Sequence, residues 1–150
     1  MQLRVKKLEK TAKLPTRSYE RDLGYDLYSV EKHVIMESVI VHTGIAIEFP
    51  PGYGGFIKDR SSVSTESKVL VGAGVIDNGY TGEIKVFMIN HSPVAYTVYP
   101  GDKIAQLVLI PVVNCSILEV EEIRERSERG DKGFGSTDRR YYNGDLGGPS

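Results

Sequence analysis

Five short clusters hold the residues of this chain that could do chemistry: GYDLYS, DRSS, GVIDNGYTG, GDKIAQL and RGDKGFGST. They contain carboxylates, a guanidinium, hydroxyls, amides and aromatic rings, set among glycines that let backbone approach a ligand closely. In the third cluster Asp77 closes an apolar run, VLVGAGVID, and Tyr80 follows across Asn78-Gly79, before a second apolar run, EIKVFMIN. A carboxylate, a turn and an aromatic thus stand together between two core strands. Taken singly, each cluster also has a purely structural reading. Asp26, Asp77 and Asp102 suit turns, Asn-Gly suits a hairpin, and Arg60 suits a surface.

Several chemistries are disfavoured by spacing. His33, His42 and His91 lack metal-ligand spacing and no cysteine accompanies them. There is no Gly-x-Ser-x-Gly. RGDKGFGST lacks the Gly-Lys-Ser/Thr order of a phosphate loop and has no strand-to-helix setting.

The elements that must position these clusters are strands. LRVKKL, GYDLYSV, SVIVHTGIAIEFP, GGFIKD, KVLVGAGVID, GEIKVFMIN, AYTVYPGDKIAQLVLIPVV and SILEVEEI are alternating, β-branched or aromatic runs. Pro50-Pro51-Gly52, Asn78-Gly79, Ser92-Pro93 and Pro100-Gly101 separate them. Many short strands at close spacing predict an all-β sandwich or barrel. One helical turn is expected at SSVSTES, with hydroxyls capping it.

With 150 residues the chain suits one domain. A net charge of −1 offers no global attraction to nucleic acid or to an anionic membrane, and neither is expected as a partner. The start, MQLRVKKLEK, has no apolar targeting core, so a cytoplasmic setting is expected. The single cysteine, Cys115, is expected to be a small buried apolar residue. Composition changes near Glu121: 12 of the 20 residues from Glu121 to Arg140 are charged. The expected division is a core over 1–120 and a mobile C-terminal arm over 121–150, within one domain. Phe134 among glycines is an odd residue for a solvated tail.

In this order and at this spacing, from about Leu3 to Asp138, the five clusters resemble those of the trimeric deoxyuridine triphosphate nucleotidohydrolases, the dUTPases. The resemblance implies a distorted jelly-roll β-barrel with a short helix. It also implies a homotrimer whose active sites are shared between subunits, and hydrolysis of dUTP to dUMP and pyrophosphate by water attack at the α-phosphorus.

Roles follow from the resemblance residue by residue. Asp77 matches the aspartate that orients and activates the attacking water, a task an ionised carboxylate can perform. Tyr80 matches the tyrosine under the deoxyribose, leaving no room for a 2′-hydroxyl. Main-chain groups over Val71, Gly74, Val75 and Ile76, with small Gly72 and Ala73 between, are expected to read the uracil edge. Arg60, Ser61 and Ser62 form the phosphate-binding segment, and Gln106 contacts phosphate. Asp26 lies near the water shell of a Mg²⁺ held mainly by substrate phosphates. In the tail, Phe134 would stack on uracil. Arg129, Ser136 and Thr137 would hold the γ-phosphate, beside Gly133 and Gly135.

Some positions depart from the family pattern: Leu23 for alanine, Ser62 for glycine, Lys103 for arginine, and Lys132 and Asp138 for glycines. Two alternatives remain. A dCTP deaminase on the same fold shares Arg-Ser-Ser, but has a glutamate where Phe87 stands and an arginine where Thr65 stands. A non-catalytic nucleotide-binding or regulatory protein would be favoured by loss of Asp77 or Tyr80, and both are present.

Overall fold

A computed structural model describes residues 1–123. It divides the chain into two units, Met1–Asn114 and Cys115–Ser150. The first unit holds every strand described, ten in all, and one helix: β1 (Arg4–Lys7), β2 (Gly24–Tyr28), β3 (His33–Ile35), β4 (Ser38–Glu48), β5 (Tyr53–Lys58), α1 (Ser61–Ser67), β6 (Val69–Gly72), β7 (Val75–Ile76), β8 (Glu83–Asn90), β9 (Tyr96–Val98) and β10 (Lys103–Pro111).

The strands form a distorted jelly roll of two four-stranded sheets, ordered β1-β4-β8-β6 and β2-β10-β5-β7, with β3 and β9 as a separate pair. All the pairings are antiparallel. Period-two alternation sets the faces. Along β8, Ile84, Val86 and Met88 turn inward while Lys85, Phe87 and Ile89 lie outward or half-buried. The inward side chains join Val41, Ile45 and Ile47 of β4, Leu27 of β2, Ile57 of β5 and Leu107 of β10 in one core.

Most of the predicted runs became strands, with two departures. KVLVGAGVID is not one strand. It breaks at Ala73, which takes φ +49°, so β6 pairs with β8 in one sheet and β7 with β5 in the other. Asn78-Gly79 consequently does not close a hairpin. It is a turn between strands of different sheets, closed by Tyr80 N donating to Asp77 O at 3.1 Å. SILEVEEI forms no strand, because it finds no partner strand among the described residues. Ile117, Leu118, Val120 and Ile123 are exposed there. Cys115 is also exposed and not buried, since it lies past the end of β10.

The predicted helix is present, but its hydroxyls do not cap it. Arg60 holds the N-cap position, and the Ser64 and Thr65 hydroxyls donate back to the Arg60 and Ser61 carbonyls. Val63 is the residue α1 buries. Among the described residues no helix is long and apolar enough to cross a membrane.

Candidate active site

Asp26 sits on β2 with its backbone tied on both sides, paired with Gln106 of β10 and bridged to Thr16. Its mostly buried carboxylate lies between two cations. Arg60 Nε donates to Oδ1 at 2.9 Å and Lys103 Nζ lies 2.7 Å from Oδ2. Bonding through Nε leaves the two terminal nitrogens of the guanidinium fork for an anion. The hydrogen bond to Asp26 raises the Lys103 ammonium above the ordinary lysine pKa.

Asp26 and Arg60 line a polar cleft of about 260 Å³, together with Ser18, Asp22, Leu23, Gly24, Ser61, Ser62 and Gln106, while Lys103 lines a neighbouring cleft that Arg60 also borders. Gln106 is fixed by its amide, which donates to the Asp59 carbonyl at 2.7 Å, and its side-chain oxygen lies against Gly24, where a side chain would collide with it. On the far side of Arg60, Tyr96 has its phenol pKa raised by burial, and the charge of Asp102 adds to the effect.

A second cleft, of about 270 Å³, is lined by Ile40, Ala73, Val75, Ile76, Asp77, Tyr80, Glu83, Lys85 and Phe87. The turn that carries Asp77 and the aromatic ring of Tyr80 are tied to backbone carbonyls. Asn78 Nδ2 donates to the carbonyls of Pro50 (3.0 Å) and Tyr53 (2.5 Å), pinning the turn that carries Asp77 to the β4–β5 loop. The Tyr80 hydroxyl donates to the Glu83 carbonyl at 3.0 Å. Besides the β6–β8 and β7–β5 ladders, two further main-chain groups of the Val71–Ile76 stretch are engaged: Val71 N donates to Asp59 Oδ1 at 3.0 Å and Gly74 O accepts from Ile57 N at 2.7 Å. The smallness of Gly74 answers to this packing, because a Cβ there would lie 2.3 Å from Ile57 O.

The structure therefore brings Arg60, Ser61, Ser62, Gln106 and Asp26 to one cleft, and Val75, Ile76, Asp77 and Tyr80 to another, with no residue common to both. Arg129, Phe134, Gly135, Ser136 and Thr137 lie outside the described residues. Sequence reasoning passed over Asp59, which fixes both Gln106 and Val71. Its place beside Arg60 in the DRSS cluster was the available signal. Glu83 was also passed over, because it reads as the polar start of a strand.

Among the described residues no three carboxylate, imidazole or thiolate side chains converge on a point where a metal could sit. With both oxygens of Asp26 already engaged, this donor set fits a metal that arrives on a ligand's phosphates and meets the protein through water.

An antiparallel jelly roll with a cation-lined polar cleft and a separate carboxylate–tyrosine cleft has the makings of a nucleotide-binding enzyme. The chain belongs to the dUTPase family, whose model matches residues 10–138. It is 43% identical over 141 residues to the deoxyuridine 5'-triphosphate nucleotidohydrolase of Clostridium kluyveri, covering 91% of this chain and 98% of that one. It is 38% identical over 135 residues to a probable enzyme of the same name from Schizosaccharomyces pombe, covering 89% and 96%. A Staphylococcus bacteriophage 80alpha dUTPase variant solved with dUpNHpp superposes with a TM-score of 0.85 at 32% identity, over 90% of this chain and 97% of that one. A phage phi11 dUTPase variant, described for its coordination of a structural Mg(II) ion, superposes with a TM-score of 0.78 at 28% identity, over 83% and 100%.

Proposed function

We propose that this chain is a dUTP diphosphatase in which Asp77 activates water for attack on the α-phosphorus, releasing dUMP and pyrophosphate. The observation that carries the mechanism is the pairing of Asp77 and Tyr80 in one cleft, on a turn that Asn78 ties to the neighbouring loop. A carboxylate held in one direction can take a proton from water as the water attacks, and help of this kind contributes roughly 10²–10⁴-fold. Tyr80 would stack under the deoxyribose and exclude a 2′-hydroxyl by clash. Exposed backbone near Ala73, Val75 and Ile76 would read the uracil edge.

The phosphates belong in the polar cleft. Arg60 offers its terminal nitrogens, Ser61 and Ser62 their hydroxyls, and Gln106 its side-chain oxygen to the water shell of the phosphates. A bound Mg²⁺ would neutralise and orient the phosphate oxygens, with Asp26 reaching it only through water. From the tail, Phe134 would cover the base. Arg129, Gly135, Ser136 and Thr137 would engage the γ-phosphate and exclude bulk water. The product chemistry limits uracil available for DNA and supplies dUMP for thymidylate synthesis; the proposed setting is the cytoplasm.

The working unit is a homotrimer with shared sites. Two features support this. The clefts for nucleoside and phosphate have no residue in common on one chain. The outward face of the β4-β8-β6 strands is also apolar, carrying Ile40, Leu70, Phe87 and Ile89, and Ile40 and Phe87 line the nucleoside cleft. A second copy covering that face would bring its phosphate cleft to the first copy's Asp77.

The deaminase alternative is disfavoured because an apolar ring, Phe87, lines the cleft at the position of the deaminating glutamate. The test is pyrophosphate release with Mg²⁺ from dUTP, dCTP, dTTP and UTP. Rapid release from dUTP alone is expected. Ammonia from dCTP would establish the deaminase reading, and binding of dUTP without release would establish a non-catalytic protein.

A further inference from the structure

Glu83 touches more of the nucleoside cleft's framework than any role in the reaction above requires. Its carboxylate is mostly buried, at 16% side-chain exposure. Oε1 accepts the Gly44 N–H at 2.9 Å, and Oε2 lies 2.8 Å from His42 Nδ1. Lys85 Nζ stands 4.0 Å from Oε2. Its main-chain carbonyl accepts the Tyr80 hydroxyl at 3.0 Å.

The contact with Gly44 has a clear physical cause. The β4–β8 register shifts between His42 and Ala46: His42 pairs with Lys85 and Ala46 with Glu83. Three residues of β4 therefore oppose one residue, Ile84, of β8. A bulge of this kind takes backbone groups out of the ladder. The Glu83 carboxylate accepts one N–H so displaced, and the Thr43 hydroxyl donates to the Ile84 carbonyl on the same stretch. Glu83 is thereby clamped from the bulge side, while its backbone clamps Tyr80 from the other. The Tyr80 ring lies so close over the turn that a Cβ at Gly82 would stand 2.6 Å from its hydroxyl oxygen.

We propose that Glu83 is a positioning residue for sugar discrimination: by locking the start of β8 to the β4 bulge, it holds the carbonyl that fixes the Tyr80 ring. This rests on the reading of Tyr80 as the deoxyribose platform. Glu83 touches no reacting atom. It limits how far the ring can swing away to admit a 2′-hydroxyl.

The experiment is a double-mutant cycle on the assembled enzyme with Glu83→Ala and Tyr80→Phe, read as the ratio of kcat/KM for dUTP to that for UTP. Each single variant is expected to lower the ratio roughly three- to tenfold, the scale of one lost hydrogen bond. The double variant is expected to fall no further than the worse single, because both act through the same hydroxyl–carbonyl contact. Glu83→Gln, which keeps an acceptor for Gly44 and can donate to neutral His42, is expected to restore the ratio to within about twofold. If Glu83→Ala does not fold, His42→Ala replaces it in the cycle. An unchanged ratio in Glu83→Ala, or additive losses, would overturn the proposal. Tyr80→Ala separates the two readings: if it leaves the ratio intact, the platform reading itself fails, and if it alone lowers the ratio, only the role of Glu83 fails.

Discussion

Arg60 reaches Asp26 through Nε and not through its terminal nitrogens, at 2.9 Å, while Lys103 closes on the other oxygen of the same carboxylate at 2.7 Å. One aspartate thus orients two cations at the edge of the polar cleft. Removing its charge leaves them to repel each other. Asp26→Asn is expected to raise the KM for dUTP by roughly tenfold or more with a smaller effect on kcat, since the ordered phosphate-binding geometry is lost before chemistry begins. Steady-state kinetics with a Mg²⁺ titration checks this; a fall in kcat at constant KM would contradict it.

The same pair predicts a pH effect. The Lys103 pKa in the folded protein is raised above the ordinary 10.5 by its hydrogen bond to Asp26. A raised folded value means the pair's stabilisation is fully present below the unfolded pKa and is lost as pH rises through the folded one. Thermal melts of the parent and of Asp26→Asn should therefore differ most at pH 8 and by less on the alkaline side of 10.5, where only the Arg60 contact persists. A difference that stayed constant through that window would show that the pair does not titrate as the geometry implies.

Asp77→Asn preserves shape and removes the proposed base. Its kcat is expected to fall by about 10²–10⁴-fold, with dUTP binding little changed. Single-turnover pyrophosphate release, set beside binding of a non-hydrolysable dUTP analogue, separates the two effects. Full activity in this variant would remove Asp77 from the mechanism.

Asn78 donates one amide group to two carbonyls across the β4–β5 loop. Asn78→Ala is expected to cost roughly 1–2 kcal/mol of stability and to lower kcat more than it raises KM, because the turn that aims Asp77 is untied. Denaturant midpoints give the first number and kinetics the second. A stability loss with an unchanged kcat would leave the turn a purely structural element.

Association is testable on the outward face of the β4-β8-β6 strands. Ile40 and Leu70 are exposed there, at 54% and 39%. Native mass spectrometry of the parent should give a trimer, and Ile40→Lys with Leu70→Lys a monomer lacking dUTP hydrolysis. An active monomer would refute the shared site.

Local patterns made the strands legible, because alternation in β4 and β8 and the Pro-Gly and Asn-Gly turns act over a few residues. They could not reveal that VLVGAGVID changes sheet at Ala73. That break depends on β5 presenting Ile57 to Gly74, an approach between residues far apart in the chain. For the same reason SILEVEEI misled. Its composition is that of a strand, and a strand forms only where a partner edge receives its hydrogen bonds.

The sequence by itself determined the all-β class, the family and the chemical groups at Arg60, Asp77, Tyr80 and Gln106, because residue types in a fixed order are written in one dimension. Only the tertiary structure decided that Asp26 faces two cations, that Arg60 and Gln106 line one cleft and Asp77 and Tyr80 another, and that Glu83 joins the Tyr80 turn to the β4 bulge. Each of these is a contact between segments distant in sequence. It exists because antiparallel pairing and a shared core bring particular strand faces together, a relation that no local pattern of residues contains.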